Sequence, residues 1–245
     1  MASFRKEFSL DKIDLQGMQI GIFEEPGAEG NFVINYFIWE SLREQDGACC
    51  LLSLKHSFNH YFHIGMKLGY NLNSQKSRAI FLEALRALFE SNTEQNFFNM
   101  LDDTGLKKLF HIVKEKCEHL LKNYNKVYLI IDDLSYLLCA GFPVESILVF
   151  GHYLRTLLDK NITVIVLAHY SEDDRESLRI KHFLEQNIDI NFQVSPLRTG
   201  AAQDISGMVS MKRKNNTLEK FTDSILCHYK LTERNINVFP PGYVK

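Results

Sequence analysis

The run Lys126-Val127-Tyr128-Leu129-Ile130-Ile131-Asp132-Asp133 constrains the fold more than any other segment, because an unbroken apolar stretch stops abruptly at two carboxylates. A continuous run of β-branched, aromatic and aliphatic residues of this length reads as a strand covered on both faces, as in parallel sheets with helices above and below. The rest of the chain alternates in the same sense. Residues 18–23 predict a strand, followed by the turn Glu25-Pro26-Gly27-Ala28-Glu29-Gly30. A helix over residues 32–44 comes next, with an apolar stripe of Val33, Ile34, Phe37, Ile38, Trp39 and Leu42 broad enough for burial against a sheet. Residues 48–54 and 163–168 predict further buried strands, residues 61–68 a short helix, and residues 79–82 a strand whose continuation toward Phe89 fits either period. Residues 106–121, behind an Asp103 or Thr104 cap, and residues 144–158 carry helical spacing. Residues 191–197, 207–212, 224–231 and 235–239 read as strands in hairpins, and charge dominates residues 171–181. The expected fold class is α/β: a mostly parallel sheet flanked by helices, with antiparallel hairpin strands at the C-terminal end.

Composition narrows the class further. With 245 residues, 45% hydrophobic and 24% charged, the chain has material for a packed core and is neither disordered nor fibrous. No repeat, low-complexity tract or linker divides it, so one domain is expected over residues 1–245, with 1–14 as a short N-terminal extension. No apolar run approaches the roughly 18 residues that cross a bilayer, and the N-terminus lacks a signal-peptide stretch, so no membrane partner and an intracellular location are expected. The five cysteines are odd in number and include no CxxC, which suits reduced residues in a reducing compartment.

A strand, a glycine turn and a central helix, with a distant strand ending in Asp, form the layout of a phosphate-loop nucleotide-binding core. In such a loop, glycines let backbone N–H groups curl around phosphate, a Lys neutralises the distal phosphates and a hydroxyl holds Mg²⁺. With Gly30 as the second loop glycine, Glu25 stands at the first, Asn31 at the Lys and Phe32 at the hydroxyl. Three of these four chemical positions are wrong, and Glu25 and Glu29 add repulsion toward a polyphosphate. The loop Glu25, Gly27, Gly30, Asn31, Phe32 is therefore read as degenerate and no cofactor is expected. Asp132 stands where a Walker B carboxylate would hold Mg²⁺, with Asp133 beside it; carboxylates at strand ends also cap the next helix. Glu83 could activate water only if a phosphate anchor existed.

His56, His60 and His63 would share one face of a helix, but no acid lies within residues 56–69 and aromatic neighbours surround them, so packing is preferred to a metal. No G-x-S-x-G or HExxH motif supports hydrolysis. The formal charge is −2, yet residues 191–245 carry 8 basic and 4 acidic side chains while residues 1–190 carry 20 and 26. Lys212, Arg213 and Lys214, placed at a hairpin tip before the turn Asn215-Asn216-Thr217, are candidates for phosphate contacts without base information, and Arg175, Arg179, Lys181 and Arg198 extend that set. The alternative for each is a solvated charge.

Three segments carry a resemblance: HSFNHYFHIGMKLG at residues 56–69, AIFLEAL at 79–85 and VYLIIDDLSYLL at 127–138. Together they resemble the family of the sixth subunit of the Elongator complex, over most of the chain. The resemblance implies a RecA-like domain that has lost its ATP-binding loop and works as a non-catalytic subunit. It also implies assembly with the fourth and fifth Elongator subunits into a hetero-hexameric ring, contact with the remaining Elongator subunits, and transfer-RNA binding in support of wobble-uridine modification. A cytoplasmic location follows, with the nucleus as a second one. The resemblance carries over no catalytic residue, so the chain is not expected to be an enzyme. The competing readings are an active RecA-type ATPase with a composite inter-subunit site, in which Lys55 or a neighbour replaces the missing Lys, and an adaptor without an RNA role.

Overall fold

A computed structural model describes residues 1–84, 103–198, 200, 202–215, 220–221 and 224–242. The extension of the strand toward Phe89 and the turn residues Asn216 and Thr217 lie outside them. The first helix, α1 (Ala2–Glu7), leads through a 3₁₀ turn to β1 (Gln19–Glu24), α2 (Asn31–Arg43), β2 (Gly47–Ser53), α3 (Phe58–Leu68) and β3 (Ala79–Glu83). There follow α4 (Asp103–Leu121), β4 (Lys126–Asp132), α5 (Tyr136–Cys139), α6 (Val144–Arg155), β5 (Ile162–His169), α7 (Arg175–Asn187) and β6 (Ile190–Ser195). The strands β7 (Gly207–Asn215), β8 (Lys220–Phe221), β9 (Ile225–Leu231) and β10 (Ile236–Phe239) complete the order.

The described strands form one sheet in the order β10-β9-β7-β6-β1-β5-β4-β2-β3, with β8 paired to β7. From β6 to β3 all pairings are parallel; β7, β9 and β10 add on antiparallel. The apolar runs behave as their composition requires, since β1 and β2 are buried at every residue and β4 at all but Lys126. Alternate side chains enter two cores. On one face Leu129, Ile131, Val164 and Val166 meet α4, α6 and α7; on the other Ile20, Ile22, Ile130 and Ile165 meet α1, α2 and Tyr61 of α3. Each fully buried Ile, Leu or Phe contributes on the order of 1.5–3 kcal/mol over its exposed state, so both helical layers are needed to hold the sheet. Among the described residues, no helix is long and apolar enough to cross a membrane.

Four elements differ from the sequence expectation, each for a local reason. The charged stretch after Ser171 contains α7, whose buried stripe of Ser177, Ile180 and Leu184 is narrow enough to vanish among charges; Asp174 caps it by accepting Glu176 N–H at 3.1 Å. Strand β6 is half of the expected hairpin with β7 but also pairs parallel with β1, and so belongs to the parallel part. Lys212, Arg213 and Lys214 are not at a tip. They lie within β7, where Lys212 pairs with Asn191 and Arg213 with Ile190, because the ladder runs on past Met211. Residues 1–14 supply α1, and its Phe4, with Phe8 just beyond, is fully buried against Phe192 at 5.5 and 5.4 Å between ring centroids.

Candidate functional site

In open α/β sheets, ligands bind beyond the carboxyl ends of strands, where neighbouring strands send their chains to opposite faces. Here β1 leads into α2 on one face while its neighbour β5 leads into α7 on the other. The crevice at their ends is lined by Glu24 and His169, which are direct register partners, and by Asp132 and Asp133 at the end of β4, the next strand.

The turn between β1 and α2 is held by contacts within the chain itself. Gly30 N–H donates to the Glu24 carboxylate at 2.6 Å, and a Cβ at position 30 would come within 3.1 Å of that same oxygen. Burial raises the Glu24 pKa, with the Gly30 N–H opposing the shift. Lys55 faces the crevice, but toward Glu24, with its ammonium 3.7 Å from the other carboxylate oxygen. Burial alone would lower the Lys55 pKa; the charges of Glu24, Asp133 and Asp132 outweigh it and the net shift is upward. Glu25 turns away, accepting from Tyr170 Oη at 3.2 Å and from Gln193 Nε2 at 3.1 Å. Gly27 takes φ of +83°, as the tight turn requires, and Phe32 is buried, stacked 4.4 Å from the ring of Tyr229.

Asn31, in the place of the loop Lys, points inward and starts a buried polar chain. Its Nδ2 donates to Tyr61 Oη at 2.9 Å, and Tyr61 Oη donates to Asp132. Asn35 Nδ2 donates to Asn31 Oδ1 at 2.7 Å, and Tyr70 Oη to Asn35 Oδ1 at 2.5 Å. Tyr70 reaches this position because its ring lies against Gly65 of α3, where any side chain would collide with it, and Gly69 at φ +91° turns the chain back after the helix. Asp132 is thus capped by a phenol, and burial lifts its pKa to about 7 against the opposing Tyr61 hydrogen bond. Asp133, fully buried, accepts Ser135 N–H at 3.0 Å and lies 2.7 Å from His169 Nδ1, a contact that raises the His169 pKa.

The three histidines do not converge. His56 precedes α3 and stacks on His60 at 4.0 Å, burial pushes His56 down to about 4, and His63 is solvent-exposed. Glu83 accepts Phe58 N–H at 3.4 Å and so serves the start of α3. Of the basic candidates, Arg179 pairs with Glu145 at 2.8 Å, and Lys181 sits 3.9 Å over the Tyr170 ring and 3.7 Å from Glu185. Arg175 and Arg198 are exposed where α7 begins and β6 ends, on the same end of the sheet as the crevice. Lys212 is exposed and Arg213 and Lys214 half-buried at the opposite end, beside the start of β6. Glu24, Tyr61 and His169 were missed by sequence reasoning. The available signal was position: Glu24 and His169 each directly follow an apolar strand run, as Asp132 does.

The family model of Elongation complex protein 6 matches residues 8–233. Elongator complex protein 6 of Homo sapiens is 26% identical over 232 residues, covering 87% of each chain, and that of Drosophila melanogaster is 25% identical over 238 residues, covering 92% of this chain and 91% of its own. Among solved structures, a KaiC-like protein of Pyrococcus horikoshii superposes with a TM-score of 0.62 at 10% identity, over 92% of this chain and 90% of its own. An uncharacterized protein of the same organism, in complex with an unknown peptide, gives 0.64 at 12% identity over 98% of both. The fold is that of KaiC-like, RecA-type domains, and with its matched residues running almost from end to end, the chain belongs to the Elongation complex protein 6 family.

Proposed function

We propose that this chain is a non-catalytic, RecA-like subunit of an Elongator accessory ring in the cytoplasm or nucleus. In this reading it assembles with the fourth and fifth Elongator subunits and supports transfer-RNA binding for wobble-uridine modification. The relatives are named as Elongator complex proteins, which supports the complex. The observation that carries the non-catalytic part is the Glu24 carboxylate on Gly30 N–H: a buried anion already holds the donor that phosphate would need.

An active ATPase is the reading to exclude. The double substitution Asn31→Lys, Phe32→Thr is expected to give no ATP turnover, because Glu24 still fills the loop and Phe32 is lost from its stack on Tyr229. Equilibrium binding of labelled ATP to the unmodified full chain should be absent at micromolar concentration. Micromolar binding that disappears in Asp132→Ala would refute the non-catalytic assignment.

The RNA role is tested by the two groups of cations at opposite ends of the sheet. In the assembled ring, Lys212→Ala, Arg213→Ala, Lys214→Ala and, separately, Arg175→Ala, Arg198→Ala are compared for transfer-RNA affinity across a salt series. Each lost phosphate contact should reduce the salt slope by up to about one unit without changing sequence preference. An intact ring with unchanged slope in both variants would leave this chain an adaptor with no RNA contact of its own.

A further inference from the structure

We propose that Glu24, Asp133 and His169 form a binding site for a divalent transition-metal ion of the zinc type. This goes beyond the ring assignment and does not depend on it. The three residues sit at the ends of three neighbouring parallel strands, β1, β4 and β5, and one ligand atom from each lies within 4.8 Å of the other two. A tetrahedral zinc site with bonds of about 2.0–2.1 Å has ligand-to-ligand edges of roughly 3.3–3.4 Å. To reach that shape the 2.7 Å contact between His169 and Asp133 would open and the longer edges shorten, by rotation of Glu24 and His169 at their strand ends and of Asp133 one residue beyond β4.

The remaining contacts leave the right atoms available. Glu24 Oε2 is held by Gly30 N–H at 2.6 Å, whereas Oε1 has Lys55 at 3.7 Å, beyond hydrogen-bonding reach. Asp133 Oδ1 is held by Ser135 N–H at 3.0 Å, which turns Oδ2 toward His169 Nδ1 at 2.7 Å. An ion would take the place of the proton shared across that contact. The His169 side chain is 42% exposed while Asp133 is fully buried, so the site opens to solvent on its imidazole side and has room for water as a further ligand. Charge favours the same conclusion: among the described residues, the Glu24 and Asp133 carboxyl groups converge here with the ammonium of Lys55 beside them, its side chain 35% exposed. One imidazole with two carboxylates suits Zn²⁺ or Mn²⁺ better than Mg²⁺ or Ca²⁺, which favour all-oxygen shells.

The experiment strips the full chain with a chelator, equilibrates it with Zn²⁺ alone and measures metal retained after gel filtration, alongside the thermal midpoint. One equivalent per chain and a raised midpoint are expected. His169→Ala and the isosteric Glu24→Gln should each weaken zinc at least about tenfold, because each removes a direct ligand, while the double variant His56→Ala, His60→Ala should bind as the parent does. Absence of retained zinc, or equal retention by both ligand variants, would overturn the proposal. Should His169→Ala fail to fold, the visible spectrum of the Co²⁺-loaded parent decides. Bands of nitrogen and oxygen ligation alone support the site, and a thiolate charge-transfer band assigns the ion to cysteine and overturns it.

Discussion

Asp132→Asn should stabilise the chain at about pH 8, by roughly 1–3 kcal/mol, and the gain should be lost progressively as pH falls from about 7 toward 3.8. The sign follows from the direction of the shift. Burial lifts the folded-state pKa of Asp132 to about 7, far above the ordinary value of 3.8. As pH falls through about 7 the folded chain takes up a proton that the unfolded chain does not accept until near 3.8, so the native protein gains stability over that window. Asparagine carries no charge at any of these pH values and forgoes nothing as it rises. It keeps an oxygen to accept from Tyr61, and its added N–H₂ needs a partner, which is why the gain falls short of the roughly 4 kcal/mol that three pKa units would represent. The groups facing Asp132 are the Tyr61 phenol, Asp133, Lys55 and Glu24, and of these Tyr61, Glu24 and Lys55 are themselves shifted upward. The quantity to read is therefore the difference between variant and parent in urea unfolding at each pH, in which the neighbours' titrations largely cancel. An Asn variant less stable than the parent at pH 8 would mean that the carboxylate charge is supported in the folded chain, as a metal–nucleotide site would require.

That prediction concerns a residue picked out by the sequence, but its partner was not. Val127 to Ile131 were legible as a buried strand because the run has strand length, is rich in β-branched and aromatic residues, and ends at Asp132. That Asn31 and Phe32 stand where a phosphate loop would carry a Lys and a hydroxyl is read from residue type alone. The contacts these two side chains make could not be read. Tyr61 lies thirty residues after Asn31 and seventy-one before Asp132, and only the packing of α3 on α2 unites them. His169 was hidden for the opposite reason: it extends an apolar strand by one residue, and nothing local says that Asp133 waits on the neighbouring strand. Helix α7 was lost because charge density masks a stripe of only Ser177, Ile180 and Leu184, and Lys212 to Lys214 were misplaced because polar residues on a strand near the sheet end look like a turn.

The second large effect should come from Tyr61→Phe, which is expected to cost about 3–4 kcal/mol at pH 8. Tyr61 is wholly buried, and its single oxygen serves two groups: it donates to Asp132 and accepts from Asn31 Nδ2 at 2.9 Å. Removing it strands a buried carboxylate without its donor and a buried amide without its acceptor. Near pH 5 the carboxyl of Asp132 is neutral, and the cost should fall to about 1–2 kcal/mol, that of neutral unsatisfied groups alone. The same reduction should follow at pH 8 if the charge is removed by mutation instead. In the Asp132→Asn background, Tyr61→Phe should cost only about 1–2 kcal/mol, giving a coupling near 2 kcal/mol between the two positions. The cycle separates two accounts of the buried polar chain. If Tyr61 serves to support the buried charge of Asp132, the coupling is large at pH 8 and fades at pH 5. If it merely fills space between α3 and the sheet, Tyr61→Phe costs little and costs the same in every background, and the chain Asp132-Tyr61-Asn31-Asn35-Tyr70 is then a set of satisfied hydrogen bonds with no energetic link to the charge of Asp132.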